Sequence, residues 1–312
     1  MRITEWVKRV WATPVVVCTV CVLVGCASAP VVETPVVDVI PSVPVVPPMV
    51  VKLPPKIGLA LGGGAARGFA HVGVIQVLEE NGIRPALVTG TSAGSLVAAI
   101  YASGKTGAQL QRVAETMEEA AIADWTLPIF SRGMLRGEAL ARYVNTQVGS
   151  RRIEDMPLPL GIIATDLNTG KDVIFQRGDT GTAVRASSAV PAVFQPVKIS
   201  GREYVDGGLV SPVPVGAARK MGADFVIAVD ISSPPEGSLT GGTLEILLQT
   251  FSIMGKSINT FELRDADVVV RPGLQGIASS DFSARKRSID AGRQAMLRAI
   301  PELKAALAAR MR

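Results

Sequence analysis

Apolar and polar positions along this chain of 312 residues follow two habits. Unbroken apolar runs of about five residues, bounded by glycine or proline, alternate with longer stretches whose apolar residues recur every three or four positions. The run Ile57–Leu61 lies between Pro55 and Gly62 and predicts a buried strand. After a glycine loop, Phe69, Val72, Val74, Ile75, Val77 and Leu78 predict a largely buried helix, which Asn81-Gly82 stops with a left-handed cap. Residues 86–89 predict a second buried strand, and residues 92–101 an apolar helix ending near Gly104. Strand–helix–strand–helix at this spacing implies right-handed crossovers and a mainly parallel sheet covered on both faces.

Thr106 can cap a third helix running to residue 121, and residues 137–148 predict another amphipathic helix. Between them, residues 124–136 carry Trp125, Leu127, Ile129, Phe130 and Met134, and core packing is favoured there over an acyl-chain channel. Residues 160–165, 171–176 and 197–204 predict strands, the last folded on Ser200-Gly201 as a hairpin. Residues 183–189 predict a short helix before Pro191, and residues 212–221 a helix capped by Gly222. Phe225–Val229 predicts a strongly buried strand, followed by a Ser/Pro/Gly linker over residues 232–242. A long helix over residues 243–263 is expected to pack in the core, with a lid or membrane contact as the alternative. A last strand over residues 267–271 and a helix over residues 283–309 complete one α/β domain, residues 56–312, without internal repeats.

Composition adds an address. Arg2, Lys8 and Arg9 precede an apolar stretch over residues 10–24, too short for a bilayer-spanning helix. It ends in Leu23-Val24-Gly25-Cys26, which resembles the lipobox of bacterial lipoproteins. The resemblance implies that residues 1–25 are a signal peptide and that Cys26 carries lipid. With Ala27 next, the expected location is the cell envelope, at the outer membrane if the host has two membranes. Residues 26–55 repeat Val and Pro and predict an extended tether. Cys18, Cys21 and Cys26 are the only cysteines, so the mature fold would contain no disulfide and no cysteine-based metal site or nucleophile. The formal charge of +5 includes +2 from Arg2, Lys8 and Arg9 against Glu5, leaving 5 − 2 = +3, too mild to argue for nucleic acid.

Two glycine-rich turns carry the candidate chemistry. The first reads Gly62-Gly63-Gly64-Ala65-Ala66-Arg67-Gly68, and the second Gly90-Thr91-Ser92-Ala93-Gly94. A serine between glycines at a strand-to-helix turn has the form of a nucleophile elbow, and a second glycine loop offers backbone N–H groups to an oxyanion. Nucleotide binding fails on named residues. Arg67 stands where the dinucleotide fingerprint needs its last glycine, and Phe69 follows Gly68 where a phosphate loop needs lysine. The α/β-hydrolase triad also fails, because His71, the one histidine, precedes Ser92 and reads as structural. The base is then a carboxylate. Asp206, before Gly207-Gly208, is the best candidate, with Asp166 and Asp230 also ending apolar strands.

In order and spacing, the two glycine turns and Asp206-Gly207-Gly208 resemble the three signature blocks of patatin-like phospholipases, and residues 185–194 resemble the block before the Asp motif. The resemblance spans residues 56–230. It implies a patatin-like three-layer sandwich and a serine hydrolase of phospholipid or related lipid esters. In that reading Ser92 is the nucleophile and Asp206 the proton acceptor, with the oxyanion held around Gly63, Gly64 and Ala65 and Arg67 steadying the loop. The substrate is a membrane lipid, and neither metal nor cofactor is implied. An acyltransferase using the same serine, and a scaffold without turnover, are the alternatives.

Overall fold

In a computed structural model, the described residues are 54–118, 124, 133–232 and 242–310. The expected signal peptide, Cys26 and residues 26–53 of the tether lie outside them, as do residues 125–132 of the apolar connection and 233–241 of the linker. Strand β1 (Ile57–Leu61) leads through the glycine loop and a tight turn into α1 (Ala70–Glu80). Next come β2 (Leu87–Thr91), α2 (Ala93–Ala102), α3 (Gly107–Thr116), β3 (Gly133–Leu135) and α4 (Glu138–Gln147). Then come β4 (Leu160–Asp166), β5 (Asp172–Phe175), α5 (Thr180–Ser187), β6 (Ala192–Phe194), β7 (Val197–Ile199) and β8 (Arg202–Asp206). The last elements are α6 (Val215–Lys220), β9 (Phe225–Val229), α7 (Thr243–Glu262), β10 (Val268–Val270) and α8 (Arg285–Ala309).

Eight strands form one sheet in the order β10-β9-β1-β2-β4-β8-β7, with β5 also paired to β4. Strands β10, β9, β1, β2 and β4 run parallel, and β5, β8 and β7 join antiparallel. Alternation sorts the side chains by size. Leu59, Leu61, Phe225, Ile227 and Val229 face the large core beneath α1, α2 and α8. Ala60, Val226 and Ala228 face the opposite side, where α6 packs closely through Val215 and Ala218. The result is the expected mixed α/β architecture, a central sheet between layers of helix.

The register on β4 decides which strand ends meet. Strand β2 pairs with β4 from Leu160 to Ile163, and β8 pairs from Ala164 to Asp166. Strand β5 occupies residues Ile162 to Thr165, so it lies on the opposite edge from both. Because β2 is parallel and β8 antiparallel to β4, their carboxyl ends meet head to head on one edge. Thr91 stands opposite Ile163 and Asp206 opposite Ala164.

Several expectations shift. Helix α3 carries the Thr106 cap but ends at Thr116. Strands β3 and β6, three residues each, form a separate small parallel sheet that the pattern did not suggest. Helix α7 is not core: among its described side chains only Asn259 is buried, while Ile246, Ile253, Met254 and Phe261 are exposed.

Candidate active site

Ser92 is the single residue between β2 and α2, with φ 52° and ψ −124°. That left-handed φ costs a serine roughly 1–3 kcal/mol and persists only where the surroundings hold it. Here the helix start presses on the neighbouring strand. A Cβ on Gly94 would stand 2.1 Å from the Leu61 carbonyl oxygen, and one on Gly90 2.5 Å from the Gly94 carbonyl oxygen. Ser92 N–H donates to the Ser187 hydroxyl at 2.9 Å, and the Ser92 carbonyl accepts from Ser95 N–H and from the Ser95 hydroxyl. The hydroxyl of Ser92 is left at the amino end of α2, where the helix dipole favours developing negative charge.

Asp206 ends β8 and is 6% exposed. Its N–H donates to the Ala189 carbonyl, its carbonyl accepts from the Thr165 hydroxyl, and Oδ1 accepts from Gly208 N–H at 2.7 Å. Oδ2 is buried without a hydrogen-bond partner. Burial pushes the carboxyl up to about 6, against the smaller opposing pull of Gly208 N–H and the Ser92 hydroxyl. The serine is therefore near enough to influence the carboxyl, yet no well-formed hydrogen bond joins them. Catalytic pairs often close only around substrate.

The other carboxylates do other work. Asp166 closes the β4–β5 turn, accepting from Asn168 and Thr169 N–H and pairing with Arg202 at 3.0 Å. Burial opposes its ionisation, but Arg202 and the turn N–H groups outweigh it and hold the carboxyl below its usual range. Asp230 accepts from Ser232 and pairs with Arg271 at 3.4 Å. His71 is fully buried and its Nε2 donates to the Gly62 carbonyl at 2.8 Å, which fixes the tautomer. Burial lowers its pKa to about 4, so the ring is neutral at physiological pH. It anchors the glycine loop.

Within that loop the donors are unequal. Gly62 N–H is used by the Val229 carbonyl and Gly63 N–H by the Pro212 carbonyl at 2.9 Å. Ala66 N–H goes to Ser279 and Arg67 N–H back to Gly64. Gly64 and Ala65 N–H have no acceptor among the described residues. Of the oxyanion set expected around Gly63, Gly64 and Ala65, only the last two thus keep N–H groups without an acceptor among the described residues. Arg67 is buried, with Nε directed at the Gly64 carbonyl at 3.4 Å. Gly68 packs against Ala93 of the elbow, and Gly207 against the Ile163 carbonyl.

Two cavities meet at Ser92, sharing Ala65 and Val190 as well. One, about 180 Å³, is walled by Phe69, Leu96, Leu110, Met117, Leu140 and Phe194 and is almost wholly apolar. The other, about 230 Å³, contains Asp206, Gly64 and Arg67 and is roofed by α7 through Leu248, Phe251, Lys256 and Asn259. Two polar side chains tie this assembly together without having stood out in sequence. The Ser187 hydroxyl bridges the Ser92 N–H and the Ile163 carbonyl. Glu262, held up to about 7 by burial, accepts from Ser211, whose carbonyl accepts from Thr91 beside Ser92. Among the described residues no cluster of His, Cys, Asp and Glu is arranged to hold a metal.

The family model described as patatin-like phospholipase matches residues 59–219. The chain belongs to the patatin-like phospholipase family. It is 39% identical over 184 residues to an NTE family protein of Mycobacterium tuberculosis, covering 59% of this chain and 51% of that one. It is 32% identical over 231 residues to human patatin-like phospholipase domain-containing protein 6, covering 72% of this chain and 16% of that one. The chain therefore spans about half the length of the mycobacterial relative and far less of the human one. In fold it is similar to VipD of Legionella pneumophila, with a TM-score of 0.56 at 14% identity over 80% of this chain and 68% of that one.

Proposed function

We propose that this chain cleaves ester bonds of phospholipids or related lipids through a Ser92–Asp206 dyad and an acyl-enzyme. Ser92 Oγ attacks the ester carbonyl while its proton passes to Asp206 Oδ2, and Gly64 and Ala65 N–H hold the oxyanion. Collapse breaks the ester C–O bond, and Asp206 returns the proton to the departing alcohol. Water then attacks the acyl-serine, giving its proton to Asp206, and the second collapse frees the fatty acid and restores Ser92.

The observation that carries this reading is the unpartnered Oδ2 of a buried carboxyl in the same cavity as a serine held at left-handed φ. A pKa of about 6 leaves the aspartate ionised at neutral pH while making it a stronger base than a solvated carboxylate. The apolar branch accommodates an acyl chain. The exposed apolar side chains of α7, on the helix that roofs the site, suit approach to a lipid surface. Labelling of Ser92 by a fluorophosphonate, with ester turnover lost in Ser92→Ala and Asp206→Asn, tests the dyad. An unlabelled, correctly folded wild type would rule it out.

The proposed address is the cell envelope, with Cys26 as the lipidated residue, supported by the sequence Leu23-Val24-Gly25-Cys26. Radioactive palmitate should label the wild-type chain and not Cys26→Ala; equal labelling removes the anchor.

A further inference from the structure

Asn259 is an anomaly in the wall of the site. The residue is 4% exposed, and neither its amide nitrogen nor its amide oxygen has a hydrogen-bond partner. Buried amides are almost always satisfied, because desolvating one without compensation is unfavourable. This one lines the cavity that holds Ser92 and Asp206. Lys256, three residues earlier on α7, shares its helix face and lines the same cavity. Lys256 is exposed, and its ammonium makes no ion pair or hydrogen bond among the described residues.

Both residues, with Ser232, also border an adjoining depression of about 530 Å³ that contains Arg264 and Arg271. Asp230 is the one acid there, and it is engaged by Arg271. From Ser92 the site therefore opens into an apolar branch and, past Lys256 and Asn259, into a depression with excess positive charge. An ester with a fatty acyl chain on one side and an anionic alcohol on the other matches that asymmetry.

We propose that Lys256 and Asn259 form a phosphate-binding subsite for the head group on the alcohol side of the scissile ester. The identification of the ligand as a substrate head group rests on the acyl-hydrolase reading above. The Asn259 amide has two N–H donors for phosphate oxygens and a carbonyl oxygen for a glycerol hydroxyl. Lys256 supplies a point charge on a flexible stem, suited to phosphate without fixing its orientation. A neutral glyceride satisfies the amide in part and leaves the lysine charge unmatched.

Binding without chemistry tests the subsite. The folded chain is titrated calorimetrically with a short-chain ether-linked lysophosphoglyceride, which has no carboxylic ester to cleave, and with the uncharged ether glycerol of the same chain length. Wild type should bind the phosphate ligand at least tenfold more tightly. Lys256→Ala and Asn259→Leu should each erase most of that ratio, and Lys256→Arg should restore part of it. Equal affinity of wild type for the two ligands, or variants that weaken both alike, overturns the subsite. Because no turnover is needed, this result is separable from failure of the hydrolase reading, which is reported by the absence of fluorophosphonate label on Ser92. Thermal melting provides a second check. Asn259→Leu should melt at or above the wild-type temperature, since an unsatisfied amide is removed; a fall of several degrees assigns Asn259 a structural role and overturns its part in the subsite.

Discussion

Ser187 holds Ser92 by its backbone: the Ser92 N–H donates to the Ser187 hydroxyl, which in turn donates to the Ile163 carbonyl. The bridge links the elbow to the strand that also receives Asp206. Ser187→Ala would leave a half-buried N–H and a buried carbonyl without this bridge, at a cost of about 1–3 kcal/mol. The expected outcome is a lower melting temperature with kcat reduced roughly tenfold or more and KM little changed, because a misplaced nucleophile loses more than a weakened binding contact does. A variant with full kcat at reduced stability would make the bridge purely structural.

The pH profile should carry the signature of Asp206. With its pKa raised to about 6, the proposed base is protonated at lower pH, so kcat/KM should climb about tenfold per unit below that value and level off above it. Stability runs the other way. The unfolded carboxyl ionises near 4 and the folded one near 6, so the contribution of the protonated form is present below pH 4 and is lost by the time pH passes 6. Asp206→Asn should lose ~10²–10⁴-fold in rate, yet melt at or above wild type at pH 7. Kinetics and melting over pH 4.5–8 check both halves.

His71 predicts an opposite trend in acid. Its folded pKa of about 4 lies below the usual 6.5, so the stability it contributes is full above pH 6.5 and is lost as pH falls through 4. The shift corresponds to about 3 kcal/mol at most. His71→Gln can keep a donor to Gly62 without titrating. The stability gap between wild type and His71→Gln should narrow, or reverse, between pH 7.5 and pH 4.5, measured by denaturant unfolding. A gap independent of pH would show that the imidazole titrates alike in the folded and unfolded chain, without the lowered pKa.

Gly64 should be the least replaceable residue of its loop for catalysis. A Cβ there would stand 2.7 Å from Ile231 Cδ1 and 3.1 Å from the Ile231 carbonyl oxygen, so Gly64→Ala crowds the Ile231 backbone and is expected to shift the N–H groups of Gly64 and Ala65. Loss of one oxyanion donor costs ~10²–10³ in rate, and a kcat reduced by that amount is expected. A variant within threefold of wild type would move the oxyanion elsewhere.

What the sequence disclosed was local. Glycines around Ser92, the apolar runs before each loop and the Ser200-Gly201 hairpin are readable because their causes lie within a few residues. The engagement of Gly63 N–H by Pro212 was not readable, since the two meet only through tertiary packing. Helix α7 misled for a different reason. Its apolar residues have helical spacing whether they face a core or open surface, and pattern alone does not say which. The three-residue strands β3 and β6 are too short to carry any period at all. Ser187 gave no signal beyond its place in a family block, because its role depends on a strand it does not adjoin in sequence.

The head-to-head junction on β4 also has a temporal consequence. During synthesis the proposed nucleophile emerges more than a hundred residues ahead of its proposed base. The two become neighbours only after β4 has accepted β2 along its first half and β8 along its second. A half-made or unfolded chain therefore contains the serine without a working centre. Completion of the sheet is therefore the step that would switch the proposed dyad on.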